Sequence, residues 1–325
     1  MIITVTMNPS LDHAYFIDHF SPGIVNRFQT PRKSIGGKGI NAGRAASLSG
    51  AKVIISGFLG GDLGQIVGRD LKDENLFELM MLPVSEETRR AITVMHDGNV
   101  HTEIVESGPE VSDEQAFHLM NEIKEKLNKE NASVITINGS VNSNNKHLYK
   151  DLLKYIRTEI SNEIPVLMDI SGEQLLSLLE SDEYKPTFIK PNIHELGELI
   201  GKSIPSKEVA IHEMSHSLFN DIDYIMVSCG AEGALFKAGD IYYNVEIPTI
   251  DIINPTGSGD ATVGGFAYAL EEKYSIEDTL KYAMACGMSN AQHAEVGVIN
   301  KHDVELFMNQ IQVKQYKFEP TKAIG

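Results

Sequence analysis

Two stretches of this chain combine glycine with a charged residue in spacings that can handle a phosphate. In INPTGSGDATVGGFAYAL (253–270), Gly257, Ser258 and Gly259 follow Thr256 and run straight into small and apolar residues of helical character. Successive amides at a helix start form an anion hole able to neutralise charge developing on a transferred phosphoryl group. Asp260 sits at that start. It either caps the helix or, kept ionised by the dipole, accepts a hydroxyl proton from a nucleophile within reach. In SIGGKGINAGRAASLSGA (34–51), Gly36, Gly37 and Gly39 allow close backbone approach to a ligand, and Lys38 adds a point charge. A tight helix-packing turn accounts for the glycines and alanines but not for the lysine between them.

Three further segments carry weaker signals. Lys190-Pro191-Asn192-Ile193-His194-Glu195 ends a strand and starts a helix. Asn192 and Glu195 have the spacing of a capping box, and their oxygens equally suit a hydrated Mg²⁺ held through water. Thr88-Arg89-Arg90 offers paired guanidinium groups suited to bidentate phosphate binding. VSCGAEGALF (227–236) is a strand, a glycine-flanked turn and another strand, either lining a nucleotide pocket or forming an ordinary hairpin. Other matches are dismissed. His212-Glu213-Met214-Ser215-His216 fits HExxH, but both histidines point away from the apolar stripe Ile211, Met214 and Leu218, so a zinc site is not expected. Gly201-Lys202-Ser203 lacks the upstream glycine of a P-loop, and the glycines of GFLGGDLG (57–64) do not follow GxGxxG.

The elements that must position these residues alternate. Apolar runs at 2–7, 52–60, 133–139, 164–170, 187–192 and 224–230 read as buried strands, and the patterns at 114–130, 147–160 and 207–221 read as helices. That rhythm predicts βαβ units, a mainly parallel sheet and helices on both faces. Two stretches, 11–33 and 89–107, break it. The second is a hairpin, ITVMH and VHTEIV around Asp97-Gly98-Asn99. Together they are expected to form a small lid sheet, leaving 1–10, 34–88 and 108–325 as the core. The segment 316–325 is expected to be a surface tail.

With 325 residues, 42% of them hydrophobic, the chain suits one large α/β domain with a small appendage. Two cysteines, Cys229 and Cys286, supply neither a disulfide framework nor a thiolate zinc site, and the start MIITVTMNPS has no leader character, which predicts a cytoplasmic protein. No apolar window is long enough to span a membrane. The net charge of −17, from 28 Lys and Arg against 45 Asp and Glu, argues against nucleic acid or anionic membrane as partners. Residues 1–100 are neutral, however, and between Asp18 and Asp62 no acid accompanies Arg27, Arg32, Lys33, Lys38 and Arg44. Such a basic island suits a small anionic ligand.

In order and together, GGKGINAGRAA, KPN with Glu195, VSCGAEGA and NPTGSGDATVGGF resemble the ribokinase-like (PfkB) family of carbohydrate kinases over essentially the whole chain. TMNPSLD (6–12), ETR (87–89) and ESGPE (106–110) are further similar to its branch of 1-phosphofructokinases and tagatose-6-phosphate kinases. The resemblance implies an αβα sandwich with a β-sheet lid, ATP and Mg²⁺ as cofactors, and Asp260 as the base beside the Gly257, Ser258 and Gly259 anion hole. It assigns Asp12, Gly36, Gly37, Lys38, Asn41 and Asn138 to the sugar, and Arg89 with Lys38 and Arg27 to a phosphate already on it. Lys190, Asn192, Ser228, Gly230, Ala231, Gly233, Thr256, Gly257, Gly259 and Asn290 are assigned to the nucleotide, and Asn192 and Glu195 to Mg²⁺ through water. Asn254-Pro255-Thr256 and Asn138-Gly139-Ser140 depart from the family pattern near the nucleotide and the sugar. The expected reaction is phosphorylation of a ketohexose monophosphate. A free sugar or nucleoside is the alternative acceptor, and a catalytically silent sensor is the alternative of another class. An exposed lid could pair with a second lid across a two-fold axis to form a homodimer.

Overall fold

Unbroken runs of aliphatic and β-branched residues set the centre of the molecule, because strands covered on both faces need no polar alternation. The computed structural model describes residues 1–98 and 100–317. In chain order the strands are β1 (Ile2–Thr6), β2 (Ser10–Phe16), β3 (Arg32–Gly36), β4 (Val53–Gly60), β5 (Glu78–Val84), β6 (Arg89–His96) and β7 (Val100–Val105). They continue with β8 (Val134–Asn138), β9 (Val166–Asp169), β10 (Phe188–Ile189), β11 (Tyr224–Ser228), β12 (Ala234–Ala238), β13 (Ile241–Glu246) and β14 (Gln312–Tyr316).

Ten strands form one sheet in the order β14-β13-β12-β11-β10-β9-β8-β1-β4-β5. From β5 to β11 every pairing is parallel, and β12, β13 and β14 close that edge in antiparallel register. Alternate residues feed two cores. Ile2, Val53 and Ile55 pack under the helices Lys38–Ser49, Gly61–Glu74, Ser258–Glu271, Ile276–Ala291 and Lys301–Met308. Ile3, Val5 and Ile54 pack under Asp113–Leu127, Leu148–Tyr155, Gly172–Leu179, Ile193–Ile200 and Lys207–Glu213. The result is an αβα sandwich, the architecture that the resemblance implies. Strand order reverses at β1, which lies between β4 and β8, and ligands of open α/β sheets bind beyond the carboxyl ends of strands at such a point.

The second sheet has the order β3-β2-β6-β7. β2 follows β1 after three residues and β6 begins directly after Thr88, so this sheet rises from the carboxyl edge of the large one. Its edge strand β3 runs to Gly36 and hands the chain straight to the helix at Lys38.

Three expectations change. The helix expected over 207–221 ends at Glu213, with Met214 as its C-cap, so His212 and His216 do not share one continuous helix. The α-helix within 147–160 stops at Tyr155 and continues as a π-turn, Ile156–Ile160. Tyr316, the first residue of the expected tail, closes β14 and pairs with Tyr242, while Asn99 and 318–325 lie outside the described residues.

Candidate active site

The helices Lys38–Ser49 and Ser258–Glu271 meet through small residues: a Cβ on Gly264 would stand 2.2 Å from the Ala42 carbonyl oxygen. This approach brings the two glycine segments together. Asn41 Nδ2 donates to Asp260 Oδ2 at 2.8 Å, both residues being buried. Burial, reinforced by the Asp169 carboxylate, pushes the Asp260 carboxyl up to about 6, while Asn41, Lys38 and Lys190 pull the other way. A carboxylate so placed remains ionised near neutrality and basic enough to take a hydroxyl proton.

Asp169 ends β9 and was not singled out in the sequence, although an acid closing the buried apolar run Val-Leu-Met is the signal that marks it. Lys38 Nζ lies 3.5 Å from its Oδ2 and Lys190 Nζ 3.5 Å from its Oδ1. Asp169 thus spreads the two ammonium groups, and it raises the Lys38 pKa, keeping that charge fixed. Lys190 Nζ is 3.0 Å from where a Cβ of Gly259 would be, which sets the lysine over the helix start.

Gly257 is the N-cap of that helix at φ 78°, a left-handed conformation, and Ala261 N–H makes the first helical bond, 2.8 Å to the Gly257 carbonyl. Ser258 N–H donates to the Pro255 carbonyl, so the amides of Gly259 and Asp260 are the ones ahead of the helical ladder. Asn290, assigned to the nucleotide, serves elsewhere. It is fully buried and its Nδ2 donates to Thr256 O (2.9 Å) and Ser258 Oγ (3.2 Å), holding the glycine turn from behind. Asn254 Oδ1 accepts from Thr256 N–H and its Nδ2 donates to the Ala294 carbonyl, so this departure from the family pattern is a loop brace. Thr256 itself is exposed.

Beside the turn opens a cleft of about 360 Å³. Lys190, Ser228, Gly230, Ala231, Gly233, Ser258 and Gly259 line it together with the apolar Met226, Ile250, Met284 and Met288. A flat heteroaromatic ring with a charged tail suits such a mixed lining. The β10–β11 ladder is extended by a bridge from Asn192 to Ser228, which joins the Lys-Pro-Asn segment to this wall. Asn192 Oδ1 accepts from Glu195 N–H (2.9 Å) and Glu195 Oε2 from Asn192 N–H (2.8 Å), a complete capping box. With one amide and one carboxylate partly engaged there, these oxygens fit the water shell of a Mg²⁺ ion, not its direct coordination.

On the other side, Asp12 and Arg89 sit in neighbouring strands of the small sheet, where Ser10 pairs with Arg89. Ser10 Oγ–H donates to Asp12 Oδ1 at 2.6 Å, and burial nonetheless raises the Asp12 pKa. Burial likewise lowers the Arg89 pKa, and its Nε has no hydrogen-bond partner. Arg90 does not pair with it. Successive strand residues face opposite ways, and Arg90 instead engages Glu106 through its amide (2.7 Å) and guanidinium (3.4 Å). Arg27 stands exposed between β2 and β3, joined to the cluster by no hydrogen bond or ion pair among the described residues. Gly37 caps the first helix, and Asn138 ends β8 beside Asp169 with its Nδ2 turned back onto Thr136 Oγ1 (2.7 Å) and its Oδ1 buried without a partner.

Residues 5–302 match the pfkB family carbohydrate kinase profile. A protein assigned as a phosphofructokinase from Staphylococcus aureus superposes with a TM-score of 0.78 at 27% identity, covering 98% of this chain and 100% of that one. Phosphofructokinase-2 from Escherichia coli, in complex with potassium, gives 0.82 at 22% identity over 95% and 98% of the two chains. A protein assigned as a 1-phosphofructokinase from Thermotoga maritima gives 0.81 at 23% identity over 97% and 99%.

Proposed function

The chain belongs to the pfkB family of carbohydrate kinases, and from that premise we propose that it transfers the γ-phosphoryl group of ATP to a primary hydroxyl of a ketohexose monophosphate, fructose 1-phosphate or tagatose 6-phosphate, giving the bisphosphate. The observation that carries the choice of acceptor is Arg89. A half-buried guanidinium whose Nε lacks a partner, offset by Asp12, is a receptor for a phosphate brought in by the substrate.

In this reading Asp12, the backbone at Gly36 and Gly37, Lys38, Asn41 and Asn138 surround the sugar. Asp260 Oδ1 takes the proton of the attacking hydroxyl while Asn41 holds Oδ2. Ser258 N–H being held by the Pro255 carbonyl, the amides of Gly259 and Asp260 at the end of the Gly257–Gly259 turn, with the ammonium groups of Lys38 and Lys190, meet the charge on the transferred group, so positioning and neutralisation do most of the work. Asn192 and Glu195 would hold Mg²⁺ through water, and the ion would shield the nucleotide phosphates. The small sheet acts as a lid that excludes water from the transfer.

Two further proposals accompany this one. The protein works in the cytoplasm, in keeping with two free cysteines and with no helix long and apolar enough to cross a membrane among the described residues. It also forms a homodimer through the lid, whose outer residues Phe16, Val100, Ile104 and Val105 are each at least half exposed.

ADP release with ATP and Mg²⁺ against fructose 1-phosphate, tagatose 6-phosphate, fructose 6-phosphate, free fructose, ribose and adenosine tests the reaction. Preference for a phosphorylated ketohexose is expected. Turnover on unphosphorylated acceptors alone overturns the role of Arg89, and no turnover on any of them leaves a sensor.

A further inference from the structure

Arg44 lies within the helix Lys38–Ser49 and is 6% exposed. Its guanidinium is engaged on every side. Nε and one terminal nitrogen make a bidentate pair with Glu74, both at 2.7 Å, and the other terminal nitrogen donates to Asn41 Oδ1 (3.2 Å) and to the Val296 carbonyl (2.8 Å). Two consequences follow. A guanidinium only donates, so Asn41 must turn its oxygen toward Arg44 and its Nδ2 toward Asp260. The bond to Val296 also fixes a turn that touches the anion hole from behind: Val296 Cγ1 lies 2.2 Å from the position of a Gly257 Cβ, and Gly297 N–H donates to Asn290 Oδ1 at 2.6 Å. Asn290 in turn holds Thr256 and Ser258.

The geometry points to Arg44, anchored by Glu74, as the positioning residue that sets both the hydrogen bond from Asn41 to Asp260 and the place of the 257–259 turn beside it, given the assignment of Asp260 as the base. Arg44 touches neither the reacting hydroxyl nor the transferred group. It acts through an amide oxygen and a carbonyl, and only a planar fork with five donors reaches these and both Glu74 oxygens together. Lysine at this position keeps a charge for Glu74 and loses the other bonds.

The charged groups facing Asp260 are Asp169 from β9, Lys38 from the first helix and Lys190 from the segment after β10. All three persist in Arg44→Lys, so a changed Asp260 titration in that variant reports the loss of a correctly turned Asn41. The measurement is carbon-13 NMR of aspartate carboxyls in the ligand-free protein across pH, with Asp260→Asn assigning the resonance. Arg44→Lys is expected to titrate Asp260 about one pH unit higher, the scale of one lost charge-assisted bond. With ATP and the preferred sugar phosphate, kcat is expected to fall about tenfold while KM for ATP stays within about twofold. Glu74→Gln retains Arg44 with a weaker anchor and moves both readouts the same way by less, so the assignment stays measurable should Arg44→Lys fail to fold. An unchanged Asp260 titration in the folded variant, with kcat within about threefold of the parent, overturns the role of Arg44. A parent that phosphorylates none of the acceptors instead overturns the kinase reading, and the titration, which needs no substrate, still decides the positioning role.

Discussion

A Cβ on Gly36 would stand 2.2 Å from Asp12 Oδ2, so the last residue of β3 is glycine because the Asp12 carboxylate occupies the space a side chain would take. Ser10 Oγ–H holds the same carboxylate from its other oxygen. Gly36→Ala is therefore expected to displace Asp12 and raise KM for the sugar phosphate at least about tenfold, the scale of one misplaced charge-assisted hydrogen bond. KM for ATP is expected to be unchanged, because Gly36 and Asp12 lie outside the cleft beside the 257–259 turn. Steady-state kinetics with each substrate varied in turn checks this, and equal rises in both constants would count against a sugar site at Asp12.

Arg89 gives a sharper separation, because it lies in β6 on the small sheet and the cleft proposed for the nucleotide is built from other elements. Arg89→Ala removes about 1.5–3 kcal/mol of charge-assisted bonding to a phosphate, or roughly 10–100-fold in KM for the sugar phosphate. For an unphosphorylated sugar the same substitution is expected to change little. Arg90→Ala, which keeps the amide bond to Glu106 and loses the guanidinium contact with it, is the control and is expected to leave both constants near the parent values.

The titration of Asp260 links activity to stability with opposite signs. Its carboxyl is pushed from an ordinary 3.8 up to about 6 by burial and Asp169, so the folded protein holds a proton that the unfolded chain releases. Stability tied to this group is fully present below about pH 4 and is lost as pH rises through about 6, the direction required when the folded state binds more protons. The base, however, works only when ionised, so kcat is expected to fall as pH drops below about 6. Asp260→Asn should lose about 10²–10⁴-fold in kcat, keep ATP binding, and melt higher than the parent at pH 8 than at pH 5. Thermal melts at the two pH values with isothermal titration of ATP test all three; a variant within about tenfold of the parent rate removes Asp260 from the role of base.

The lid face carries its own test. Val100 and Ile104, four residues apart and so on the same face of β7, are 50% and 56% exposed. Two such faces brought together would hide apolar surface that a monomer leaves in water. Light scattering coupled to gel filtration is expected to give a dimer for the parent and a monomer for Ile104→Glu. A parent that is monomeric at micromolar concentration rules out the lid interface.

Much of this site was legible from local patterns, since a glycine turn leading into a helix announces its amides wherever it sits in a chain. What sequence patterns could not carry were the bonds between distant elements. Asp169 is one acid at the end of an apolar strand, and its meaning comes from Lys38 and Lys190 converging on it from two other elements. Arg44 was read only as part of a basic island, although its charge is consumed by Glu74 inside the protein. Arg89 and Arg90 looked like a pair because they are adjacent, yet the pleat of β6 sends them apart. The Asn192 and Glu195 spacing fits both a cap and a metal shell; the cap is present, and Asn192 is also joined to the cleft wall through its bridge to Ser228.

The anion hole depends on two constraints at Gly257 that can be separated. Its φ of 78° disfavours any side chain, and its missing Cβ leaves room for Val296 Cγ1. Gly257→Ala violates both, and a tilted turn misdirects the amides of Gly259 and Asp260, for which a loss of about 10²–10³-fold in kcat is expected. Val296→Ala in the same chain makes room for the new methyl group while leaving the left-handed backbone strained by about 1–2 kcal/mol. If crowding displaces the turn, the double variant recovers at least about tenfold of the lost rate. If the backbone conformation alone sets the amides, the double variant is no faster than Gly257→Ala, and Val296 is then packing that the anion hole does not need.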